Sequence, residues 1–151
     1  MTWTNPQSEA IKSRNQNLLL AAAAGSGKTA VLVERIIQRL SESGQPLDIT
    51  EILVVTFTKA AAAEMSARIG VALAKAMEST DDKALQARLE RQLNLLPSAH
   101  ISTLHSFCQW VIRSYFYKLD IPPTARIGNE AEMTLLKQEV LENLLKEAYE
   151  H

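Results

Sequence analysis

Two glycines, a lysine and a threonine stand close together in the stretch Ala22 to Thr29. Glycines let a backbone fold around an anion, because they adopt conformations that other residues resist and leave the N–H groups uncovered. Residues in this order could bind a polyphosphate: Gly25 and Gly27 would shape the loop, Lys28 would reach the β- and γ-phosphates, and the Thr29 hydroxyl would ligate Mg²⁺. A helix beginning near Lys28 would add free N–H groups and the positive end of its dipole.

This stretch departs from the strict form G-x-x-x-x-G-K-[ST], because Ala22 stands where the first glycine is expected. The alternative interpretation is an alanine- and glycine-rich turn between a strand and a helix, with no ligand. The flanking patterns favour the phosphate loop. Leu18 to Leu20 predict a short strand before it, and an apolar stripe at helical spacing follows, formed by Val33, Ile36, Ile37 and Leu40.

The remaining pattern predicts an α/β fold with a parallel sheet. The continuous apolar run within residues 49–56 is typical of a parallel strand that is covered on both faces. A long helix is expected over residues 59–78, and a second helix follows a capping break at 79–82. A short strand at 99–102, a helix over 103–118 and a last amphipathic helix over 130–151 complete the pattern.

Three candidate ligand-binding stretches follow the predicted strands. They are the phosphate loop, Thr56 to Thr58, and Thr103 to His105. Ligands bind at the carboxyl ends of parallel strands in such folds. We therefore expect all three stretches to converge at one edge of the sheet.

Composition is ordinary for one soluble globular domain, with 151 residues, 46% of them hydrophobic, and a net charge of −1. The whole-chain charge therefore gives no support to nucleic-acid binding. No run approaches the length of a membrane span, and the first residues lack the features of a signal peptide. Cys108 is the only cysteine, which excludes an internal disulfide and suits a reducing cytoplasm, and its apolar helix predicts that it is buried.

Four motifs in their order resemble the first motor domain of superfamily 1A helicases, the UvrD/Rep type. Residues 3–11 resemble the glutamine motif, and Ala22 to Thr29 resemble the Walker A motif, in which alanine is normal at the first position. Residues 52–68 resemble motif Ia and residues 101–108 resemble motif Ib. The resemblance implies that residues 1–151 form an incomplete P-loop NTPase (RecA-like) motor domain, with a helical segment after about residue 128.

Three further features resemble the AddA family of RecB-like helicase–nuclease proteins. They are Ala30 after the Walker threonine, the alanine run Ala60 to Ala63 and the segment from Ile127 to Leu145. This resemblance implies an ATP-dependent 3′–5′ DNA helicase and exonuclease that acts in double-strand break repair and recombination in the bacterial cytoplasm. The partners that it implies are single- and double-stranded DNA and an AddB-like protein, with no membrane.

The same resemblance implies roles for individual residues. Gln7 would contact adenine, Thr29 would bind Mg²⁺, and Lys28 and Thr29 would act in catalysis. The ATP site would comprise Gln7, Ala22, Ala23, Ala24, Gly25, Ser26, Gly27, Lys28 and Thr29. DNA would be contacted by Phe57, Thr58, Lys59, Thr103 and His105. Lys59 stands where the family usually has asparagine, and Phe57 has core packing as the alternative to base stacking.

The sequence contains no Asp-Glu pair at the end of an apolar strand, which this superfamily uses to hold Mg²⁺ and activate water. We therefore expect a part of a larger enzyme that is not catalytically competent alone. Its sheet edges would be exposed, and the chain could self-associate through them. Two alternatives remain: another P-loop enzyme such as a nucleotide kinase, or a non-catalytic module that presents a DNA-binding surface.

Overall fold

The computed structural model describes residues 2–21, 23, 25–44, 47–122 and 124–150. The chain divides into two compact units, Met1–Trp110 and Val111–His151. In chain order the elements are α1 (Asn5–Lys12), α2 (Lys28–Ser41), β1 (Leu53–Thr56), α3 (Lys59–Glu78), α4 (Lys83–Leu95), β2 (His100–Thr103), α5 (Leu104–Tyr115) and α6 (Glu130–Glu150). Elements α1 to β2 belong to the first unit, and α6 belongs to the second.

The two strands pair in parallel and form the only sheet among the described residues. Leu53 lies opposite His100, and Thr56 lies opposite Thr103. The chain passes from β1 to β2 through α3 and α4, because parallel strands need a long crossover connection. The fold is therefore α/β with a small parallel sheet and flanking helices, and both strands end at the same edge.

The larger apolar core joins α2, α3, α4 and β1. The stripe predicted on α3 is confirmed, since Met65, Ile69 and Leu73 are buried. Leu40 of α2 and Leu89 of α4 belong to the same core and have no exposed surface. Burying a side chain of this size contributes about 1.5–3 kcal/mol, so this core stabilises the packing of the helices on one another and on β1.

Polar side chains fix where two of the helices begin. Thr58 Oγ1 accepts a hydrogen bond from the Ala61 N–H at 3.1 Å, at the start of α3. The Asp82 carboxylate accepts from the N–H groups of Ala84 and Leu85, at the start of α4. Each cap satisfies backbone donors that have no partner within the helix. The predicted limits of α3 and the capping break at 79–82 are therefore confirmed.

The strand predicted over 49–56 is shorter than expected. Residues Ile49–Glu51 form a 3-10 helix instead, because the Glu51 carboxylate accepts from the Asp48 N–H and Gln92 Oε1 accepts from the Ile49 N–H. Leu53 and Val55 are 46% and 42% exposed. The prediction that both faces of the strand are covered is therefore wrong, since only the face that carries Val54 is buried.

The strand predicted at Leu18 to Leu20 is not found in the described residues. The three leucines are 41%, 92% and 41% exposed. A strand needs a neighbour that pairs with its N–H and C=O groups, and within the described chain β1 pairs with β2 alone. The prediction of this strand is therefore wrong, and the expected convergence is confirmed for the two stretches that follow β1 and β2.

Helix α5 has no buried residue, although its sequence is strongly apolar. Cys108 is exposed, so the prediction that it is buried is wrong. An apolar pattern shows which face of a helix avoids water, but not whether another element covers it. Along the described part of the chain, no helix is long and apolar enough to cross a membrane.

Helix α6 begins at Glu130, as predicted, and extends to Glu150. Its large apolar residues are exposed; they are Met133, Leu135, Leu136, Val140, Leu141, Leu144, Leu145 and Tyr149. The start of the helix is fixed locally, because Asn129 Oδ1 accepts from the Glu132 N–H at 2.9 Å while Glu132 pairs with Arg126.

The side chain of Gln92 provides a test of how α4 fixes the segment before β1. It is 1% exposed, its Oε1 accepts from the Ile49 N–H at 2.7 Å, and its Nε2 donates to Asp48 Oδ1 at 2.7 Å. We expect Gln92→Leu to lower the free energy of unfolding by about 1–3 kcal/mol, because the buried Ile49 N–H loses its partner. Urea denaturation measures this change. Glu90→Leu, at an exposed position of α4, should change it by less than about 0.5 kcal/mol, and equal effects of both variants would contradict the assigned role.

Candidate functional site

Two glycines with left-handed backbone lie immediately before α2. Gly25 has φ +78° and Gly27 has φ +83°, a conformation that glycine adopts without steric cost. Gly27 is the N-cap of α2, and its carbonyl accepts from the Val31 N–H at 2.9 Å. The first N–H groups of α2 have no partner within the helix, so they provide donors beside residues Gly25, Ser26 and Gly27, here called the glycine loop.

Lys28 and Thr29 are the first residues of α2, as predicted. Lys28 Nζ donates to the Ala23 carbonyl at 2.7 Å, so its ammonium lies against the backbone that precedes the glycine loop. Thr29 is exposed. A Cβ added to Gly25 would meet nothing within 4 Å, so the surface beside this glycine is open. Ala22 and Ala24, which were also predicted to bind the nucleotide, lie outside the described residues.

The amide of Gln7 contacts the glycine loop. Its Oε1 accepts from the Thr4 N–H at 2.9 Å, and its Nε2 donates to the Ser26 carbonyl at 3.2 Å. A Cβ on Gly27 would lie 3.3 Å from Nε2, so this close approach also favours glycine. A glutamine amide has two N–H groups and two lone pairs on its oxygen, and these contacts leave one of each. The remaining pair complements N7 and the N6 amino group of adenine.

Helix α1 carries Gln7 and packs on α2. Ala10 and Ile11 are buried against Val31, with Trp3 beside them. Arg35 of α2 donates to the Ala10 carbonyl, and Arg14 donates to the Ile11 carbonyl at 2.7 Å. The sequence gives no local signal for these contacts, because each joins a guanidinium to a backbone carbonyl rather than to a side chain.

Three arginines and one carboxylate surround the end of α1. Glu42 binds both Arg14 and Arg39. The hydrogen bond from Arg14 is the main cause that lowers the pKa of the Glu42 carboxyl. Burial is the main cause that lowers the pKa of Arg35, and the positive charges of Arg14 and Arg39 add to this effect, while Glu42 opposes it.

Phe57 follows β1 directly and is fully exposed, with a relative exposure of 103%. Core packing, the alternative interpretation of this aromatic residue, is therefore excluded in this structure. Both faces of its ring are accessible to solvent at the edge where β1 and β2 end. An accessible aromatic face is what base stacking on a single strand requires.

A groove of about 300 Å³ lies at the same edge. Its polar lining consists of the Lys59 ammonium and four hydroxyl groups, from Ser66, Ser102, Thr103 and Ser106. Sequence reasoning missed Ser66, although it lies about two turns after Lys59 and therefore on the same face of α3. Hydroxyls and an ammonium together can donate several hydrogen bonds to phosphate oxygens.

The two threonines predicted to contact DNA cap the first turns of helices. Thr103 is 8% exposed, and its Oγ1 lies 2.9 Å from Ser106 Oγ and accepts from the Ser106 N–H at 3.2 Å. Thr58 Oγ1 caps α3 in the same way. Lys59 and His105 are exposed. The DNA contacts of all these residues stay predictions. Within the described residues, no group of three or more histidine, cysteine, aspartate or glutamate side chains could hold a metal ion.

The chain matches the UvrD/REP helicase N-terminal domain family over residues 3–151 and belongs to that family. It is 54% identical, over 97% of its length, to a protein of Moorella thermoacetica that is named as one of the subunits of an ATP-dependent helicase/nuclease. Proteins of the same name from Anoxybacillus flavithermus and Geobacillus kaustophilus are 55% and 56% identical to this chain, also over 97% of its length. The resemblance to the UvrD/Rep helicases and to the helicase–nuclease proteins is therefore confirmed. The chain spans only 10–12% of the length of these relatives.

Three alanine substitutions test the geometry of the glycine loop. Gly27→Ala places a Cβ in a left-handed conformation and 3.3 Å from Gln7, Gly25→Ala has a similar backbone but open space, and Gly44→Ala has neither constraint. A left-handed alanine costs about 1–2 kcal/mol. In thermal unfolding we expect Gly44→Ala to be the most stable variant, Gly25→Ala to be intermediate and Gly27→Ala to be the least stable. A Gly27→Ala protein as stable as Gly25→Ala would show that Gln7 does not pack on the loop.

Proposed function

We propose that this chain forms the ATP-binding part of a DNA helicase motor within a helicase–nuclease. The observation that carries the proposal is the position of Lys28, the first residue of α2, directly after two left-handed glycines. A lysine at this point has the backbone N–H groups of a helix N-terminus beside it, and the two together favour a polyphosphate. Membership of the UvrD/REP family and the words "ATP-dependent" in the names of the relatives support ATP as that polyphosphate.

The proposed fold is a P-loop, RecA-like motor domain whose sheet is completed by strands outside these residues. Two observations support it. The edge of β1 away from β2 has no paired strand in the described chain, and a groove of about 310 Å³ lies there against α2. The apolar side chains Leu53 and Val55 lie on the uncovered face of β1. Unpaired edges of this kind also give the chain alone a route to self-association.

In the proposed nucleotide complex, the glycine loop and Ala22 to Ala24 surround the phosphates. Lys28 exchanges the Ala23 carbonyl for the β- and γ-phosphates and neutralises the charge that develops during phosphoryl transfer. Gln7 keeps its contact with Ser26 and uses its second N–H and second lone pair for adenine. This arrangement couples recognition of the base to the loop that binds the phosphates.

The residues present fit Mg²⁺ through Thr29, an exposed residue in the first turn of α2 whose side chain carries a hydroxyl. Mg²⁺ prefers oxygen ligands and keeps several of its waters, so one protein hydroxyl and the phosphates suffice to begin a site. When bound, the ion neutralises negative charge on the β- and γ-phosphates. The sequence lacks the Asp-Glu pair that would position water, so we propose that the chain alone binds ATP without sustained hydrolysis.

The proposed DNA site is the edge of the sheet beside Phe57. The exposed ring stacks on a base, and Lys59 and His105 contact the backbone. The hydroxyls of the groove add donors for phosphate oxygens. A whole-chain charge of −1 means that local contacts rather than a general positive field provide this affinity.

For the intact enzyme we propose 3′-to-5′ translocation, exonuclease activity and a role in double-strand break repair and recombination. The support is similarity to the UvrD/Rep helicases and to bacterial proteins whose names combine a helicase with a nuclease. Those names also describe one component of an assembly, which supports a second component, here an AddB-like protein. The proposed DNA substrate supports the bacterial cytoplasm as the location of the enzyme. Family membership leaves the nucleotide-kinase alternative without support.

A non-catalytic DNA-binding module is the second candidate for the chain alone, and the full exposure of Phe57 favours it. The two candidates differ in what the chain binds. A module of this kind binds single-stranded DNA clearly and ATP weakly, whereas the nucleotide-binding part of a motor binds ATP with or without DNA. Titrations of this chain with a fluorescent ATP analogue and with labelled single-stranded DNA distinguish them.

Lys28→Ala is expected to lower ATP hydrolysis by at least about 100-fold, because one charged group that stabilises the transferring phosphate is lost. The measurement is steady-state ATPase of the longest native polypeptide that contains this chain, with and without single-stranded DNA. Lys83→Ala is the matched control, since Lys83 is also the first residue of a helix but lies on α4. Wild-type turnover in Lys28→Ala would overturn the proposed nucleotide site. ATP turnover that does not respond to DNA would contradict the proposed motor function.

Phe57→Ala is expected to weaken single-stranded DNA binding by about 1–3 kcal/mol, the contribution of one stacked base. Phe57→Trp should retain the affinity, because it keeps an aromatic face. Val71→Ala, which truncates another exposed apolar side chain on the helix that follows, is the control. Fluorescence anisotropy with a labelled oligonucleotide measures binding in each variant. Equal loss of ATP binding in Phe57→Ala would contradict a specific role of the ring in DNA binding.

A further inference from the structure

We infer that Arg35 is a positioning residue for adenine recognition, because it holds helix α1, and with it the Gln7 amide, at the glycine loop. The inference rests on the proposed function, in which Gln7 contacts adenine. Arg35 lies in the middle of α2, outside the segments that resemble the helicase motifs. Its role therefore comes from the three-dimensional contacts alone.

Both ends of α1 are tied to α2. At the first end, Gln7 Nε2 donates to the carbonyl of Ser26, next to the N-cap of α2. At the other end, Arg35 Nη1 donates to the carbonyl of Ala10. Arg35 follows Lys28 by about two helical turns, on the order of 10 Å along the axis. The two contacts therefore join α1 to α2 at separate points, and Arg35 holds the last turn of α1.

Helix α1 depends on such contacts for its position. It has eight residues, and isolated helices this short are marginal in water. Its buried surface is small, since only Ala10 and Ile11 are buried. The Ala10 carbonyl belongs to the last turn, where carbonyls lack partners within the helix. A guanidinium donor there satisfies the carbonyl and complements the negative end of the helix dipole.

The electrostatic surroundings of Arg35 support a specific hydrogen bond to Ala10 rather than a solvent-exposed surface charge. Burial and the nearby charges of Arg14 and Arg39 lower the pKa of Arg35, and only Glu42 acts in the opposite direction. The Glu42 carboxylate is itself bound by Arg14 and Arg39. The hydrogen bond to Ala10 offsets the unfavourable placement of this third cation.

Arg88 offers a matched control of the same chemistry. It donates through Nε to the carbonyl of Leu40, in the last turn of α2, and through Nη2 to the carbonyl of Leu47 at 3.3 Å. Like Arg35, it joins a guanidinium to a carbonyl near the end of a neighbouring helix. It lies on α4, and both of its carbonyl partners lie outside α1, so its loss removes stability without moving Gln7.

The experiment compares the dissociation constants of ATP and GTP for the longest native polypeptide that contains this chain. Guanine presents an acceptor, O6, where adenine presents an amino group, so an adenine-reading amide discriminates between them. We expect Arg35→Met, which keeps the aliphatic stem, to lower the GTP/ATP ratio of dissociation constants by about fivefold, as loss of one ordinary hydrogen bond produces. Arg35→Lys should retain most of the ratio, and Arg88→Met should leave it unchanged while lowering the thermal midpoint.

Gln7→Ala distinguishes the proposed adenine contact of Gln7 from the positioning role of Arg35. If Gln7→Ala leaves the ratio unchanged, the proposed adenine contact is wrong, and the role of Arg35 falls with it. If Gln7→Ala abolishes selectivity but Arg35→Met preserves it, only the role of Arg35 is overturned. The double variant should lose no more selectivity than Gln7→Ala, because Arg35 acts through Gln7. If Arg35→Met does not fold, Arg35→Gln replaces it: a similar loss supports the role, and an unchanged ratio overturns it.

Discussion

The parallel pairing of β1 with β2 is the interaction on which the functional edge of this unit depends. It sets Thr56 opposite Thr103, and these are the last residues of their strands. Phe57, the capping hydroxyl of Thr58 and the start of α5 are therefore brought to one place by backbone hydrogen bonds rather than by contacts between side chains. The apolar core of α2, α3 and α4 lies against one face of this pairing and keeps it in position.

Helix α2 is the second fixed reference. Its first turn supplies the N–H groups beside the glycine loop, its buried face contributes to the core, and its middle anchors α1 through Arg35. A displacement of α1 would therefore be felt at the loop, because the Gln7 amide lies on Gly27 and is bonded to Ser26. The core and the loop share helix α2, and the proposed base-reading residue contacts the loop from α1. Sites built on helices hold their residues more precisely than sites built on loops.

Local signals predicted much of this structure. The helix α3 follows from the spacing of Met65, Ile69 and Leu73, and the start of α4 follows from Asp82, because stripes and caps are properties of neighbouring residues. The glycine loop was predicted by motif, and the left-handed angles explain why glycine stands at both loop positions.

Features that depend on distant residues were missed or mispredicted. Leu18 to Leu20 have a strand-like composition, yet no described strand lies beside them to pair with. Cys108 lies on an apolar helix, and the sequence of a helix does not show whether another element covers it. The contacts of Gln92 with Ile49 and of Arg35 with Ala10 cross 43 and 25 positions of the chain. Their partners are backbone groups, which every residue has, so no sequence pattern predicts these contacts.

The long crossover between the two strands has a consequence for the order of folding. β1 and β2 cannot pair until α3 and α4 have returned the chain to the same place, so the cost of closing that loop precedes the gain from pairing. Helices α3 and α4 are adjacent in sequence and pack on each other, so they can form early from local contacts. The edge that carries Phe57 would then be the last part of the unit to form. A slow refolding phase would therefore delay the formation of that edge first.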